Sequence, residues 1–538
     1  MTLETISEDS TISSWLDRIG SAQGERTALA TASEGGLENQ ISFIELCDRT
    51  RRISAGLAKL GLRPDDAIAI WLPNNIDWML THFAAARLGL RTIPINTWNK
   101  EAELTHLLSI SSAKALVLDS SFTVANMAAT LAEVRRKMGD SFTVRWVIDA
   151  APISDPLNGT IDLASIEACP GEVPKATDVN DAVIAYSTSG TTSLPKLAQH
   201  NEKNILDHAC AVVRRAGLGP NDVVLCALPP CGAYGYGLIM AALESGARAI
   251  QCPVFSVDLA VRLIAEEGVT AMALTEPLMR DLLDHSKANQ DSYRSLRIVF
   301  SAGATLEPVV SRAEKEFSFS LTNVYGSSEV LALAAFWDWD MDIAERSAAG
   351  GRLVNDAMRV RAIGPTGKML PPGEQGELQF KGPSITAGYL GNSDATNAAF
   401  TSDGWFHSQD LGQIDDDAGT SFRYVARMND ALRVKGFLVN PGEVEMMLQT
   451  HPAVSVAQVV GVSDGKGEEI AVGFVTLVDR ASATGEELRA FCKANMAVFK
   501  TPAAIAVMHE FPVTRSANGD KVKKNQLREL AKEIIHNE

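Results

Sequence analysis

The sequence predicts an α/β protein, and three observations carry that prediction. Stretches with helical period alternate with short apolar runs, as stacked layers of helices and sheets require. Motifs rich in Gly, Ser and Thr fall repeatedly just after those apolar runs, where ligands collect in open α/β sheets. From Gly364-Pro-Thr-Gly367 through Pro371-Pro-Gly373 the chain becomes turn-rich, with short strands such as 376–381, which predicts a β-rich subdomain. The expected architecture is a large N-terminal domain of stacked α/β layers plus that subdomain, followed by a small α+β C-terminal domain from about residue 430.

The elements follow in order. Residues 41–60 read as an amphipathic helix ending near Gly61, and 67–72 as a strand running into the turn Pro73-Asn-Asn75. Residues 76–88 read as helix, 92–96 as extended, 100–109 as helix and 114–118 as extended. The same alternation returns at 223–228, 247–252, 257–266, 270–274 and 296–301. A helix start is expected at Pro441.

At 538 residues the chain is too long for one core, so two or more domains are expected. Its formal charge of −17 argues against broad binding to nucleic acid or to an anionic membrane, since either needs a basic surface. The start Met1-Thr-Leu-Glu lacks the basic and apolar segments of a signal peptide, and no run approaches the ~20 apolar residues of a membrane span. Seven scattered cysteines show neither Cys-x-x-Cys nor His/Cys ligand spacing, which predicts reduced thiols, a cytoplasmic location and no structural zinc.

Five segments carry chemistry. The loop Tyr186-Ser-Thr-Ser-Gly-Thr-Thr-Ser-Leu-Pro-Lys196 follows the apolar run 182–185 and suits polyphosphate. Backbone N–H groups and hydroxyls of Thr188, Ser189, Thr191 and Thr192 supply donors, Gly190 permits close approach, and Lys196 supplies charge. It lacks the second glycine of a Walker loop, and a Ser/Thr-rich surface turn has the same composition. Asn323-Val-Tyr325-Gly-Ser-Ser-Glu329 offers an aromatic ring, hydroxyls and a carboxylate able to hold Mg²⁺, or else a structural turn. Gly404-Trp-Phe-His-Ser-Gln-Asp410 places an acid where it accepts ribose hydroxyls or caps its own turn. Arg427, which opens a segment running through Lys435-Gly436, binds ribose or phosphate, or the segment is a solvated strand face. Lys521-Val-Lys-Lys-Asn-Gln-Leu527 follows a Gly turn, a pattern shared with solvated helix starts.

In this order and spacing the segments resemble the adenylate-forming superfamily of AMP-forming acyl- and aryl-CoA ligases, over nearly the whole chain. The resemblance implies a 1–427 domain binding ATP and acid, a hinge at Asn429, and a mobile 428–538 domain carrying a catalytic lysine. Residues 188–196 then match the phosphate loop, with Thr191 and Glu329 at the metal. Ser301, Ala302, Gly303 and Ala304 match the segment beside adenine and substrate. Tyr325, Gly326, Ser327, Ser328 and Glu329 match the adenine and magnesium motif, with Ser328 where Thr is usual. Asp410 and Arg427 match the ribose pair, Lys435-Gly436 the thiol tunnel, and Lys521 the catalytic lysine, its signature completed by Lys524 and Leu527. The sequence departs from the pattern at Ser193, Leu197 and Gln409, each replacing a usual glycine, and at an inserted Asp520; no charge-bearing group is lost.

The implied reaction sets a carboxylate against the α-phosphorus of ATP, so Mg²⁺ and Lys521 must offset the repulsion before coenzyme A takes the acyl group. For the acid, Pro229-Pro-Cys231-Gly-Ala-Tyr234-Gly-Tyr236 resembles benzoate-type CoA ligases. Beside Tyr234, the small residues Gly232, Ala233, Gly235 and Gly303 leave room for an aromatic or bulky apolar acid, or merely shape a tight loop. Transfer to an amine or a separate carrier protein, and a non-catalytic nucleotide-binding protein, are the competing readings.

Overall fold

The computed structural model describes residues 10–151, 159–169, 171, 178–188, 195–303, 306–428, 432–434, 437–439, 441–463, 469–496, 500–514 and 521–537. They form a mixed α/β protein with two units, Met1–Arg359 with Phe380–Phe406, and Val360–Gln379 with His407–Glu538. Among the described residues no helix is long and apolar enough to cross a membrane.

The first unit stacks two sheets across a helical layer. One sheet runs in the order Gly388–Tyr389, Leu197–Asn201, Ala182–Ser187, Arg91–Pro94, Ala67–Trp71, Ala115–Leu118, Trp146–Asp149 and Thr160–Asp162. The other places Leu321–Ser327, Ile298–Ala302, Ala271–Thr275, Val223–Cys226 and Arg248–Gln251 side by side and parallel. Between the sheets lie the helices Ile76–Arg87 and Ala233–Ser245, the latter buried at every residue. Burial on all sides explains why these two segments read as almost uniformly apolar rather than amphipathic.

The predicted helices and strands form within a few residues of their expected positions. The helix expected at 41–60 begins two residues later, as Phe43–Lys59, because Ile41 and Ser42 end a strand. Ser42 there accepts from the Glu45 N–H while Glu45 reaches back to the Ser42 N–H, a reciprocal cap. Asn75, in the expected turn, caps Ile76–Arg87 by accepting from the Trp78 N–H.

The apolar layers meet around Trp15, Trp78, Phe83, Tyr186, Tyr236 and Phe300, all fully buried. Removing one such aromatic side chain costs about 3–5 kcal/mol. Three buried histidines bridge this layer. His82 Nε2 lies 2.8 Å from the Tyr236 hydroxyl and its Nδ1 3.0 Å from Thr92 Oγ1, joining both central helices to a strand. His208 reaches the Ala332 carbonyl at 2.7 Å, and His200 the Ser328 carbonyl at 2.7 Å.

The second unit holds a β-rich part made of most of the strands Arg359–Ile363, Gly376–Lys381 and Phe406–Ile414 and all of Ser421–Arg427. Its C-terminal part is α+β. Val454–Ser463 pairs antiparallel with Glu469–Leu477, which pairs parallel with Ala504–Met508. Helices Pro441–Gln449, Gly485–Asn495 and Lys524–Asn537 accompany that sheet, and Val444, Leu488 and Leu527 are fully buried.

Burial holds His82 down to about 3 and His200 and His208 down to about 4, because the charged ring cannot be solvated there. In the unfolded chain each histidine takes a proton near pH 6.5, so lowering the pH from there toward 4 favours unfolding. Each histidine removes about 1.4 kcal/mol per pH unit in that window. The urea midpoint is therefore expected to fall steeply between pH 6 and about 4.5, and His82→Gln to lower the slope by about one proton. An unchanged slope in that variant refutes the assignment to His82.

Candidate active site

The parallel sheet delivers two motifs to one edge. Ser301 stands opposite Asn323 in register, so Ser301–Gly303 and Tyr325–Glu329 leave the carboxyl ends of adjacent strands together. Asn323 ties the two ends by donating from Nδ2 to the Gly303 carbonyl at 2.9 Å and to the Ser347 carbonyl at 3.0 Å. The Ser301 hydroxyl is fully buried without a hydrogen-bond partner among the described residues.

The segment read as a phosphate loop is flanked by two strands that pair antiparallel with each other. Ala182–Ser187 pairs antiparallel with Leu197–Asn201, and Thr188 N–H closes the neck by donating to the Lys196 carbonyl at 2.8 Å. His106 Nε2 holds the Pro195 carbonyl at 2.8 Å. Ser189, Gly190, Thr191, Thr192 and Ser193 lie outside the described residues, as do Ala304, Asn429, Lys435, Gly436 and Asp520.

Tyr325 is buried and stacks on Phe380, with ring centroids 5.5 Å apart. Gly326 is required sterically, since a Cβ there would stand 2.5 Å from the Ala332 Cα. The Glu329 turn is fixed from several sides. His200, neutral through burial, donates to the Ser328 carbonyl, and Thr386 N–H donates to the Glu329 carbonyl at 2.7 Å. The Glu329 carboxylate accepts from Ser327 Oγ at 3.0 Å and from the Tyr389 hydroxyl at 3.0 Å. The Tyr389 ring in turn faces the Lys196 ammonium, 4.7 Å from its centroid.

Tyr389 is the site residue that the sequence did not disclose. It lies 193 positions after Lys196, in the strand Gly388–Tyr389, and only sheet pairing opposite Ala198 brings it to the loop. Its signal is a tyrosine between Gly388 and Leu390 in a turn-rich stretch, which any β-turn region shares.

The oxygen-rich set of Glu329 and Ser327 fits Mg²⁺, a hard cation. Among the described residues no cluster of three or more His, Cys, Asp or Glu is placed to hold a metal by itself. One carboxylate plus substrate phosphates and water is how Mg²⁺ is usually held.

At the proposed acid pocket the glycines divide. Gly232 caps the helix Ala233–Ser245. Gly235 is a packing glycine, for a Cβ would meet the Leu228 carbonyl oxygen at 2.2 Å. Gly303 is another, with Glu276 Cβ at 2.7 Å. Neither therefore opens space for substrate. Tyr234 is buried, its hydroxyl unpartnered among the described residues and held protonated by desolvation.

In the second unit Asp410 stands directly opposite Arg427 on paired strands, with Oδ1 and the guanidinium 3.0 Å apart. Asp410 is thus inside a strand rather than capping a turn. It is almost fully buried, whereas Arg427 is half-exposed. Lys521 lies in the strand Lys521–Val522, opposite Thr514. Its signature partners are structural: Lys524 pairs with Glu445 at 3.3 Å, and Leu527 is buried in the core.

Gln409, where the family pattern has glycine, adopts φ 60°. A left-handed residue with a Cβ costs about 1–2 kcal/mol, partly offset by the lower entropy of a non-glycine unfolded chain. Gln409→Gly is therefore expected to raise unfolding stability by roughly 0.5–1 kcal/mol, read from the urea midpoint. A loss of stability would show that the Gln409 side chain makes a compensating contact.

Comparison with known proteins places the whole chain. The family model for AMP-binding enzymes matches residues 16–390, and that for the AMP-binding enzyme C-terminal domain matches 443–518. The chain is 28% identical over 540 residues to a 3-[(3aS,4S,7aS)-7a-methyl-1,5-dioxo-octahydro-1H-inden-4-yl]propanoyl:CoA ligase of Rhodococcus jostii, covering 98% of this chain and 99% of the relative. It is 27% identical to 4-coumarate–CoA ligase 5 of Oryza sativa subsp. japonica, covering 94% and 93%. A solved benzoate CoA ligase from Burkholderia xenovorans has the same fold, with a TM-score of 0.82 at 24% identity over 96% of this chain and 100% of that one. Two matched family models, in order along one chain, identify this protein as a member of the AMP-binding enzyme family.

Proposed function

We propose that the protein is an AMP-forming acid–thiol ligase, activating a carboxylic acid with ATP and passing the acyl group to coenzyme A. One observation carries the reading at the site: a phosphate-loop cation, Lys196, and a carboxylate suited to a metal, Glu329, are brought to one side chain, Tyr389. Lys196 meets polyphosphate, Tyr325 and the Ser301–Gly303 segment border adenine and the acid, and Asp410 with Arg427 takes the ribose hydroxyls. Bound Mg²⁺ offsets the negative charge that gathers on the phosphates during attack. Glu329 and Ser327 hold that cation, together with Thr191. Lys521 stabilises the charge that develops as the acid's carboxylate approaches the α-phosphate.

The chain divides functionally at 427/428, with 428–538 turning about Asn429 to withdraw Lys521 and bring Lys435-Gly436 to the thiol. The acid is aromatic or bulky and apolar; the names of the Rhodococcus and rice relatives, carrying a fused-ring and an aryl acid, support this. Space for it rests on Gly232 and Ala233 beside Tyr234, not on Gly235 or Gly303. Seven free cysteines suit a reducing, cytoplasmic setting.

Pyrophosphate release from ATP·Mg²⁺ is expected with aryl or cycloalkyl acids, and coenzyme A is expected to convert it to multiple turnovers with a thioester product. Release indifferent to coenzyme A would shift the acceptor to an amine or a carrier protein. Lys521→Ala is expected to slow adenylation roughly 10–100-fold while sparing thioester formation from supplied acyl-adenylate. Equal loss of both half-reactions refutes that role.

A further inference from the structure

Lys196 and Glu329 carry opposite charges on neighbouring segments, and in a half-buried site opposite charges attract strongly. Yet among the described residues Lys196 forms no ion pair, and its ammonium faces the Tyr389 ring instead. What each of them touches is Tyr389. The hydroxyl donates to Glu329 Oε1 at 3.0 Å, and the ring face meets the Lys196 ammonium at 4.7 Å from its centroid. A phenol can do both at once because its edge carries a hydrogen-bond donor and its face a negative quadrupole.

Tyr389 is itself held firmly. Its N–H donates to Thr396 Oγ1 at 2.9 Å, and the next residue, Leu390, donates to the Leu197 carbonyl at 2.9 Å. Gly388, before it, has φ 128° and lies against the Thr396 side chain, where a Cβ would come within 2.6 Å. The ring is buried. Its placement therefore does not depend on either charge.

We propose that Tyr389 is a positioning residue that fixes Lys196 and Glu329 and keeps them from pairing with each other, so that both charges stay open to the polyphosphate and its divalent cation. This rests on the reading of Glu329 as the metal carboxylate. A direct Lys196–Glu329 pair would use up the cation that polyphosphate needs and the oxygens that the metal needs. Tyr389 satisfies each with a neutral group, and neither charge is spent.

The test is equilibrium binding of ATP to the full chain by titration calorimetry, with Mg²⁺ and with EDTA, beside kcat and KM for pyrophosphate release and the thermal midpoint. Tyr389→Phe keeps the ring and loses the hydroxyl. It is expected to cut the gain in ATP affinity from Mg²⁺ by about tenfold and to leave metal-free ATP binding within about twofold. Tyr389→Leu loses both contacts, lets Lys196 pair with Glu329, and is expected to weaken metal-free ATP binding as well, by about tenfold. Adding Glu329→Gln to Tyr389→Leu is expected to restore metal-free binding, because Lys196 is released; a packing role alone gives no such rescue. The proposal is overturned if Tyr389→Phe retains the full Mg²⁺ gain, or if Glu329→Gln fails to rescue metal-free binding in the Tyr389→Leu background. Glu329→Gln alone separates the two levels: retention of the Mg²⁺ gain there overturns the metal-carboxylate reading, and with it this proposal. Loss of the gain there, with Tyr389→Phe unaffected, overturns only the role of Tyr389.

Discussion

The neutral state of His200 is the constraint on which the described site geometry depends. The ring lies fully buried beside Tyr186, and burial keeps it uncharged far below neutral pH. A neutral imidazole has one donor, and that donor is committed to the Ser328 carbonyl. The strand leaving the phosphate loop is thereby fastened to the turn that presents Glu329. Thr386, Ser327 and Tyr389 hold the same turn from other sides. In the first unit Lys196 is met by a neutral ring and the Glu329 carboxylate by two hydroxyls.

Much of this was legible from residues alone, for identifiable reasons. Alternation of helix and strand survived translation into structure because apolar period is a property of local sequence, and Ser42 and Asn75 mark their boundaries chemically. Motif order placed the Ser301 and Tyr325–Glu329 segments at strand ends, and the parallel register brings those two segments together. Glycine was harder to read. Gly235 and Gly303 look like open space in sequence, but each exists because a neighbouring segment approaches within Cβ distance. Asp410 resembled a turn residue because Gly404 and Trp405 precede it, yet cross-strand pairing with Arg427 defines it. Tyr389 was illegible because its role comes from sheet pairing between segments far apart in the chain.

Three non-glycine residues with positive φ lie close in sequence to candidate site residues. Leu331 and Leu333 adopt φ 62° and 64° just after Glu329, and Gln409 adopts φ 60° just before Asp410. Non-glycine residues held in this region cost on the order of 1–3 kcal/mol each and persist only where the surroundings over-determine them. At Leu331 and Leu333 the close passage of Gly326 against Ala332 supplies that determination. The bend lets Glu329 turn back toward Tyr389 while the following strand, Leu331–Phe336, returns to pair with Tyr325.

The strand Gly388–Tyr389 has a consequence for how the protein is made. It closes the edge of a sheet whose other members all lie before residue 202. A ribosome adding about 5–20 residues per second needs roughly 10–40 seconds to travel from Lys196 to Tyr389. Throughout that interval the Leu197–Asn201 strand has one open edge, and the phosphate loop lacks the ring that steadies its lysine. An unpaired edge of this kind is a place where nascent chains associate wrongly. The open edge of Leu197–Asn201 is therefore one place where a chaperone would have something to protect during synthesis, and slow translation between these two points would prolong the risk.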